Sequence, residues 1–402
     1  MIRPGRLAAV ALAAGIGVSP PSPAAQPDFP EGGAIKLGYV ELANDPRYAD
    51  QGVRSGIAFT DLGRPYEGSQ VALAEARAIG RVLHVDFSME KATAGSVGEL
   101  VQRISGWLMN DGVHFVLADL PAASLTDLAR KLAGRPVLLF NISDPDDALR
   151  GADCAANVLH TYPSQAMLSD ALLQYLMVKG WRRILVLEGP AREDAAMVTS
   201  LRRSAKKFAA SIVEMRPFAL TNDPRHRDES NIALMTEGAQ YDVVYVADSS
   251  GEFGRYVPYQ TSLPRPVVGS AGLTATAWSW SWDRDAAVQL QHRYEKEAPP
   301  RRMNGGDWAA WEAVKAVTQA VMRTRSTDYD AVKGFLLSDK LNLDTVKGNP
   351  GSFRAWDHQL RAPVLLATGS AVIERAPLPE YLHQTNVLDT LGIDAPETTC
   401  RF

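Results

Sequence analysis

The sequence predicts an α/β protein built as two doubly wound, Rossmann-like lobes. Three observations point there. From Ala34 onward, short apolar runs alternate with amphipathic segments, the rhythm of a parallel sheet wrapped by helices. That rhythm restarts after an extended stretch at 157–162. Finally, 402 residues with 46% hydrophobic content exceed what one core usually serves.

The first segment reads as an export signal. Arg3 and Arg6 precede an apolar run at 7–18, and Pro20, Pro21 and Pro23 break any helix. Ser22, Ala24 and Ala25 offer a cleavage site near Gln26, so residues 1–25 are expected to be a signal peptide and the mature chain periplasmic. Removing them takes away two arginines and no acid, moving the formal charge from −4 to −6. Nucleic acid is therefore not an expected partner. No later stretch approaches the roughly 20 apolar residues of a membrane helix, so no membrane insertion is expected. The chain is expected to act as a monomer.

In the first lobe, strands are expected at 35–40, 81–87, 113–118 and 137–142, with helices at 71–79, 97–109 and 124–132. The 97–109 helix rests on Val97, Leu100, Val101, Ile104, Trp107 and Leu108 at helical spacing. In the second lobe, Ser164 is the expected N-cap of a helix running to Lys179 and closed by Gly180. Strands follow at 184–187, 212–218, 243–247 and 267–269, with a helix at 193–208. A third section is different in kind: a Trp-rich stretch, helices at 286–297 and 307–323, and segments 353–356 and 364–367 flanking a turn like a hairpin. This gives lobe 1 as 34–156 with 276–350, lobe 2 as 157–275 with 351–375, and a C-terminal tail at 376–402.

The strand-to-helix loops are where such sheets place ligands, and none carries a cofactor fingerprint. There is no Gly-x-Gly-x-x-Gly, Walker loop, Gly-x-Ser-x-Gly elbow or His-Glu-x-x-His, so no catalytic cofactor is expected and binding is favoured over catalysis. The seven histidines are scattered without metal spacing. Asp144, Asp146, Asp147 and Asp153 cluster after one strand, and a solvated capping loop fits them better than a cation site. Cys154 and Cys400 are the only cysteines. In an exported protein they are expected to pair, with two buried thiols as the second reading.

Trp278, Trp280 and Trp282 alternate with small residues and are followed by Arg284. On an extended backbone the three indoles would share one face, either stacking a flat ligand with Arg284 on its carboxylates or plugging the seam between lobes. Trp308 and Trp311 lie on the 307–323 helix with Val314, Val317 and Val321 on one face, mostly core; Trp308, in the first turn, can meet the cleft.

The order of elements resembles the type I periplasmic binding proteins of ABC importers, of the branched-chain amino-acid kind. The resemblance covers nearly the whole mature chain. It implies two lobes joined by three crossovers, here near 155–160, 272–277 and 351–353, a ligand in the cleft between them, and a membrane permease as partner. The chain departs from the amino-acid binders at two places. Where they carry an acid for the ligand's ammonium, this sequence has Gly269, Ser270, Ala271 and Gly272; where they carry serines for the carboxylate, it has Asp119, Leu120, Pro121, Ala122 and Ala123. Stretches 152–160, 241–248, 251–254, 352–357 and 388–392 resemble a narrower subgroup, the binding proteins associated with alcohol oxidation that depends on pyrroloquinoline quinone (PQQ). That resemblance implies PQQ, a flat tricarboxylated quinone, or a related planar ligand. Its rivals are another aromatic or alcohol-derived acid, and an accessory role on a periplasmic dehydrogenase.

Such a ligand asks for aromatic walls and cationic or N–H donors. The candidate donors, chosen because they follow strands facing the cleft, are Arg47, Asn141, Ser143, Tyr162, Ser164, Arg192 and Arg284, and Asp248 is a further candidate ligand-binding residue. Tyr39, Trp278, Trp280, Trp282 and Trp308 are the candidate walls.

Overall fold

The computed structural model describes residues 33–48, 63–219, 224–226 and 228–402. The expected signal peptide at 1–25 lies outside the described residues.

The first lobe begins with β1 (Gly33–Leu42), whose central residues are buried on both sides as befits the middle of a parallel sheet. Helix α1 (Tyr66–Leu83) then buries Val71, Leu73 and Ala76 and ends at His84, in the left-handed region at φ 55°. This turn delays β2 to Val85–Ala94. The strand expected at 81–87 thus starts later, because residues 81–83 complete the helix. After α2 (Val97–Asn110) come β3 (Val113–Asp119), α3 (Ala122–Lys131), β4 (Leu138–Asn141) and β5 (Val158–His160). The five strands pair in parallel in the order β2-β1-β3-β4-β5.

Helix α4 (Gln165–Val178) opens the second lobe, and Ser164 caps it by accepting the Met167 N–H. There follow β6 (Arg183–Glu188), α5 (Arg192–Lys207), β7 (Ser211–Pro217), the short α6 (Ile232–Met235), β8 (Val243–Ala247), α7 (Val257–Gln260) and β9 (Val267–Gly269). These strands form a second parallel sheet ordered β7-β6-β8-β9.

Strand β10 (Thr274–Thr276) leads the chain back to the first lobe, where α8 (Ala287–Glu297), α9 (Gly305–Thr324), α10 (Tyr329–Leu336) and the β11 (Leu343–Asp344) and β12 (Pro350–Gly351) pair lie. Trp308, Trp311, Val314 and Val317 share one core with Tyr39, Phe87 and Phe140. The expected hairpin is different. Strand β13 (Val364–Ala367) pairs antiparallel with β10 and with β14 (Val372–Ala376), whereas the 353–356 segment contributes only a single bridge, Phe353 to Leu360. Its arginine Arg354 is committed elsewhere, to Asp389 at 3.0 Å.

The crossovers can be placed from this pairing. β5 extends the first sheet, so the chain leaves it after His160 rather than at 155–160. Ala277 and Trp278 already belong to the first core. Phe353, Leu360 and Ala362 still belong to it too, while Val364 and Leu366 sit in the second, so the third crossing also falls later than expected. The tail is not separate: Leu378 and Leu391 pack into the second core. Cys154 and Cys400 are disulfide-bonded. No helix among the described residues is long and apolar enough to cross a membrane.

Candidate ligand cleft

Parallel strands deliver their carboxyl ends to one edge, and in the first lobe that edge is charged. Asp119, the last residue of β3, is fully buried. Its carboxylate accepts from Arg47 Nη2 at 3.1 Å, Tyr48 OH at 2.9 Å, Arg64 Nη1 at 3.3 Å and Tyr39 OH at 3.5 Å. Arg47 also grips Asp45 at 2.7 Å and donates to Ser143 Oγ at 2.9 Å. Burial by itself would lower the Arg47 pKa, but its bond to Asp45 and the charge of Asp119 hold it above the usual value. Three acids, Glu41, Asp45 and Asp119, meet three cations, Arg47, Arg64 and Lys91. The result is a firm ledge in which the Arg47 and Arg64 side chains keep 24% and 22% of their exposure.

The ledge joins a second feature through hydrogen bonds. Arg301 donates to the Arg64 carbonyl at 3.1 Å and Asn304 to the Gly63 carbonyl at 3.2 Å. Asn304 caps α9 in a reciprocal arrangement with Asp307, and Arg301 clasps Asp307 at 2.6 and 3.0 Å. Arg301 and Asn304 line a pocket of about 510 Å³ in the seam between the lobes. Thr274, Thr276, Ala367, Thr368 and Gly369 supply the wall from the second lobe. Trp278, Trp280 and the run from Pro300 to Asn304 supply the other. The Arg302 guanidinium lies 3.4 Å from the centre of the Trp280 ring, a cation–π contact at the mouth. Trp278 is only 3% exposed, and among the described residues its indole N–H has no acceptor. A buried donor left unmade is costly, and among the described residues Trp278 is the pocket-lining side chain that carries one. A groove of about 620 Å³ between β2 and α2 is larger, but it lies on the outer edge of one lobe and has no such donor.

The second lobe's strand ends are knitted to themselves. Asp248 accepts from the N–H groups of Ser250, Phe253 and Gly254, and Ser270 Oγ accepts from the Asp248 N–H. The 269–272 turn brings no carboxylate.

The sequence candidates divide accordingly. Arg47, Ser143 and Tyr39 meet in the ledge, Tyr39 with its ring buried beneath it. Trp278 and Trp280 line the seam pocket. Tyr162 packs beside Gly305 at the α9 N-terminus, its hydroxyl held above the usual pKa by burial and the charge of Asp144. Arg192 is 83% exposed and 3.9 Å from Asp146 across the lobes. Four candidates are better explained as scaffold: Asn141 spends its amide on Asp144 and His160, Ser164 is a helix cap, Asp248 holds its own loop, and Trp308 is buried and bonded to the Thr345 carbonyl. Trp282 and Arg284 are also displaced. Residues 278–282 turn instead of extending, with the Trp282 N–H bonded to the Ser279 carbonyl, so the three indoles do not share a face. Trp282 joins the first core and donates to the Val346 carbonyl, and Arg284 is exposed beside it.

The aspartate cluster is a capping loop: Asp144 and Asp146 accept backbone N–H groups and Asp147 accepts from Ala166. Residues the sequence reading missed are Tyr48, Arg64, Asp119 as an anchor, Arg301 and Arg302. The signal for the last two was the Asn304 to Asp307 capping box, which places the preceding arginines at a helix start facing the seam.

Comparison with known proteins adds to this geometry. Residues 54–255 match the family described as periplasmic binding protein. No curated protein matches the sequence. In fold the chain is similar to an amino acid ABC transporter substrate-binding protein from Pseudomonas fluorescens, at 13% identity and TM-score 0.66, covering 92% of this chain and 100% of that one. It is similar also to an isoleucine-bound branched-chain amino acid transporter substrate binding protein from Streptococcus pneumoniae (14%, TM-score 0.62, 85% and 98% covered). A third is a solute binding protein of an ABC transporter from R. palustris in complex with benzoate (12%, TM-score 0.60, 92% and 100% covered). The type I periplasmic binding protein fold is common to this group.

Proposed function

We propose, from the premise that this chain belongs to the periplasmic binding protein family and is a solute-binding protein of the ABC-transporter type rather than an enzyme, that its cleft captures a planar carboxylated compound for a membrane permease. PQQ is the leading candidate. The observation that carries the reading is the seam pocket, where the Arg302 guanidinium lies over the Trp280 ring and Trp278, whose buried N–H has no acceptor among the described residues, forms part of the wall. A flat ligand can stack on an indole while its oxygens take N–H donors, and guanidinium matches carboxylate geometry. The volume falls within the roughly 300–1,000 Å³ usual for small-molecule sites. An amino-acid ligand is disfavoured because the 269–272 turn offers its ammonium no acid. The fold accommodates benzoate in one neighbour, so a smaller aromatic acid is the second reading.

Tryptophan fluorescence titration with PQQ, benzoate and isoleucine, confirmed by calorimetry, tests the proposal. Saturable quenching by PQQ at micromolar concentration is expected, weakened about tenfold by Trp278→Phe through loss of one hydrogen bond. Saturation by benzoate alone selects the second reading. Binding of isoleucine alone, or of none of the three, overturns both.

A further inference from the structure

The last residues touch both lobes in turn. Between 387 and 392 they are fastened to the second: Leu391 sits in its core, Lys207 Nζ donates to the Thr390 and Gly392 carbonyls at 2.8 and 3.1 Å, and the Gly392 N–H donates to Asp170 at 2.8 Å. Gly392 adopts φ 85°, and a Cβ there would stand 2.8 Å from Met167, so the chain can make this close pass over α4 only as glycine. Asp389, within this stretch, is also bonded at 3.0 and 2.7 Å by Arg354 and Arg361, which lie on the first-lobe side of the third crossing, so the segment passes directly beside the hinge.

From 398 onward the same segment is fastened to the first lobe. Cys400 is joined to Cys154, which follows the short helical turn Asp147–Arg150 whose Leu149 lies in that lobe's core. Phe402 stacks on His358 at 4.1 Å, and His358 in turn bonds the Val158 carbonyl in β5 at 3.0 Å.

We infer that the C-terminal segment is a strap across the hinge, a fourth connection besides the three chain crossings, which sets how far the lobes can open. Between its anchors at Gly392 and Cys400 the chain is folded into a turn, with the Glu397 N–H bonded to the Asp394 carbonyl at 2.9 Å. Drawn out fully, the eight steps between those anchors reach roughly 27 Å at about 3.4 Å each. The strap therefore has slack. It permits a limited rotation at little cost and then stops it.

The inference concerns the ligand-free protein and stands apart from the identity of the ligand. Small-angle X-ray scattering tests it with two full-length variants: Cys154→Ser/Cys400→Ser, which cuts the covalent anchor, and the same pair with Phe402→Ala, which also removes the stacking anchor. The maximum dimension and radius of gyration are expected to rise above those of the parent, most in the triple variant, with unchanged far-UV circular dichroism. A rise in the triple variant alone supports a strap held by both anchors. Profiles of both variants superimposable on the parent overturn the inference. So does alkylation of two free thiols in the parent without reductant, seen by intact mass.

Discussion

Asp119 and Glu312 are equally buried in the first lobe, yet they are opposites. Asp119 takes four donors from Tyr39, Tyr48, Arg47 and Arg64 at the cleft edge. Glu312, inside α9, has both oxygens without a partner among the described residues, and its nearest cationic influences are Lys315 and Lys347. Burial pushes the Glu312 carboxyl up to about 7, while burial holds the Lys347 ammonium well below its ordinary value. Lys347 lies over the Trp308 ring at 3.4 Å and donates to the Ala277 carbonyl at the second crossing. The difference teaches that burial by itself does not mark a working site. Where a carboxylate is saturated by arginines that still reach solvent, the arrangement can present cations to a ligand; where it is unpartnered, it weighs on stability.

The comparison is most easily broken at Asp119. Asp119→Ala removes the shared partner of Arg47 and Arg64, and a loss of about 3–5 kcal/mol in denaturant unfolding is expected, as for breaking a buried ion pair. A loss under about 1 kcal/mol would mean that Asp45 and Glu41 hold the ledge alone.

Glu312 should make the stability depend on pH. Its folded pKa is raised from the ordinary 4.5 to about 7, so the folded state binds the proton more tightly than the unfolded one. The stabilisation is complete below about pH 4.5 and is lost as pH rises through 7, a span of about 3 kcal/mol. Glu312→Gln removes that slope, and its stability relative to the parent should improve by about this amount between pH 4.5 and 8. Parallel pH profiles of parent and variant would show that the carboxyl is not strained.

Another buried group, His358, runs the other way. Burial, with a smaller contribution from Lys333, lowers the His358 pKa from 6.5 to about 4. The unfolded chain binds the proton more tightly in that window, so stability is full above pH 6.5 and falls toward pH 4. His358→Phe, which keeps a ring for Phe402 to stack on, should flatten this acid limb by about 2 kcal/mol in urea unfolding at pH 5 against pH 7. An unchanged limb would place the titration elsewhere.

The smallest effect sets the scale. Arg192, 83% exposed and 3.9 Å from Asp146, should change stability by less than about 0.5 kcal/mol when replaced by alanine. A larger loss by thermal melting would show that this contact holds the lobes together.

Much of the fold was legible because it rests on local rules. Val243–Ala247 and Val267–Gly269 are short apolar runs with no helical length, and Ser164 is a cap with Gly180 as its stop, so their boundaries follow from composition. What failed was non-local or hinged on a single residue. His84 turns α1 late and shifts β2, and nothing in the 81–87 run announces it. Alternation at Trp278, Trp280 and Trp282 looks like a strand, but the bond from the Trp282 N–H to the Ser279 carbonyl wins and the segment turns. The ledge was half seen: Arg47 and Ser143 follow strands, whereas Arg64 is brought to Asp119 from 55 residues away by the packing of α1 against the sheet.

The seam pocket takes one wall from each lobe, Thr274, Thr276 and Thr368 on one side and Trp278, Trp280 and Arg302 on the other. Its width is thus a function of the angle between the lobes. A guest that touches both walls is rewarded only at the angle that matches its thickness, and it shifts the population toward that angle by the difference in contact energy alone. A compound too thin or too thick to touch both walls gives no such preference for one angle over another.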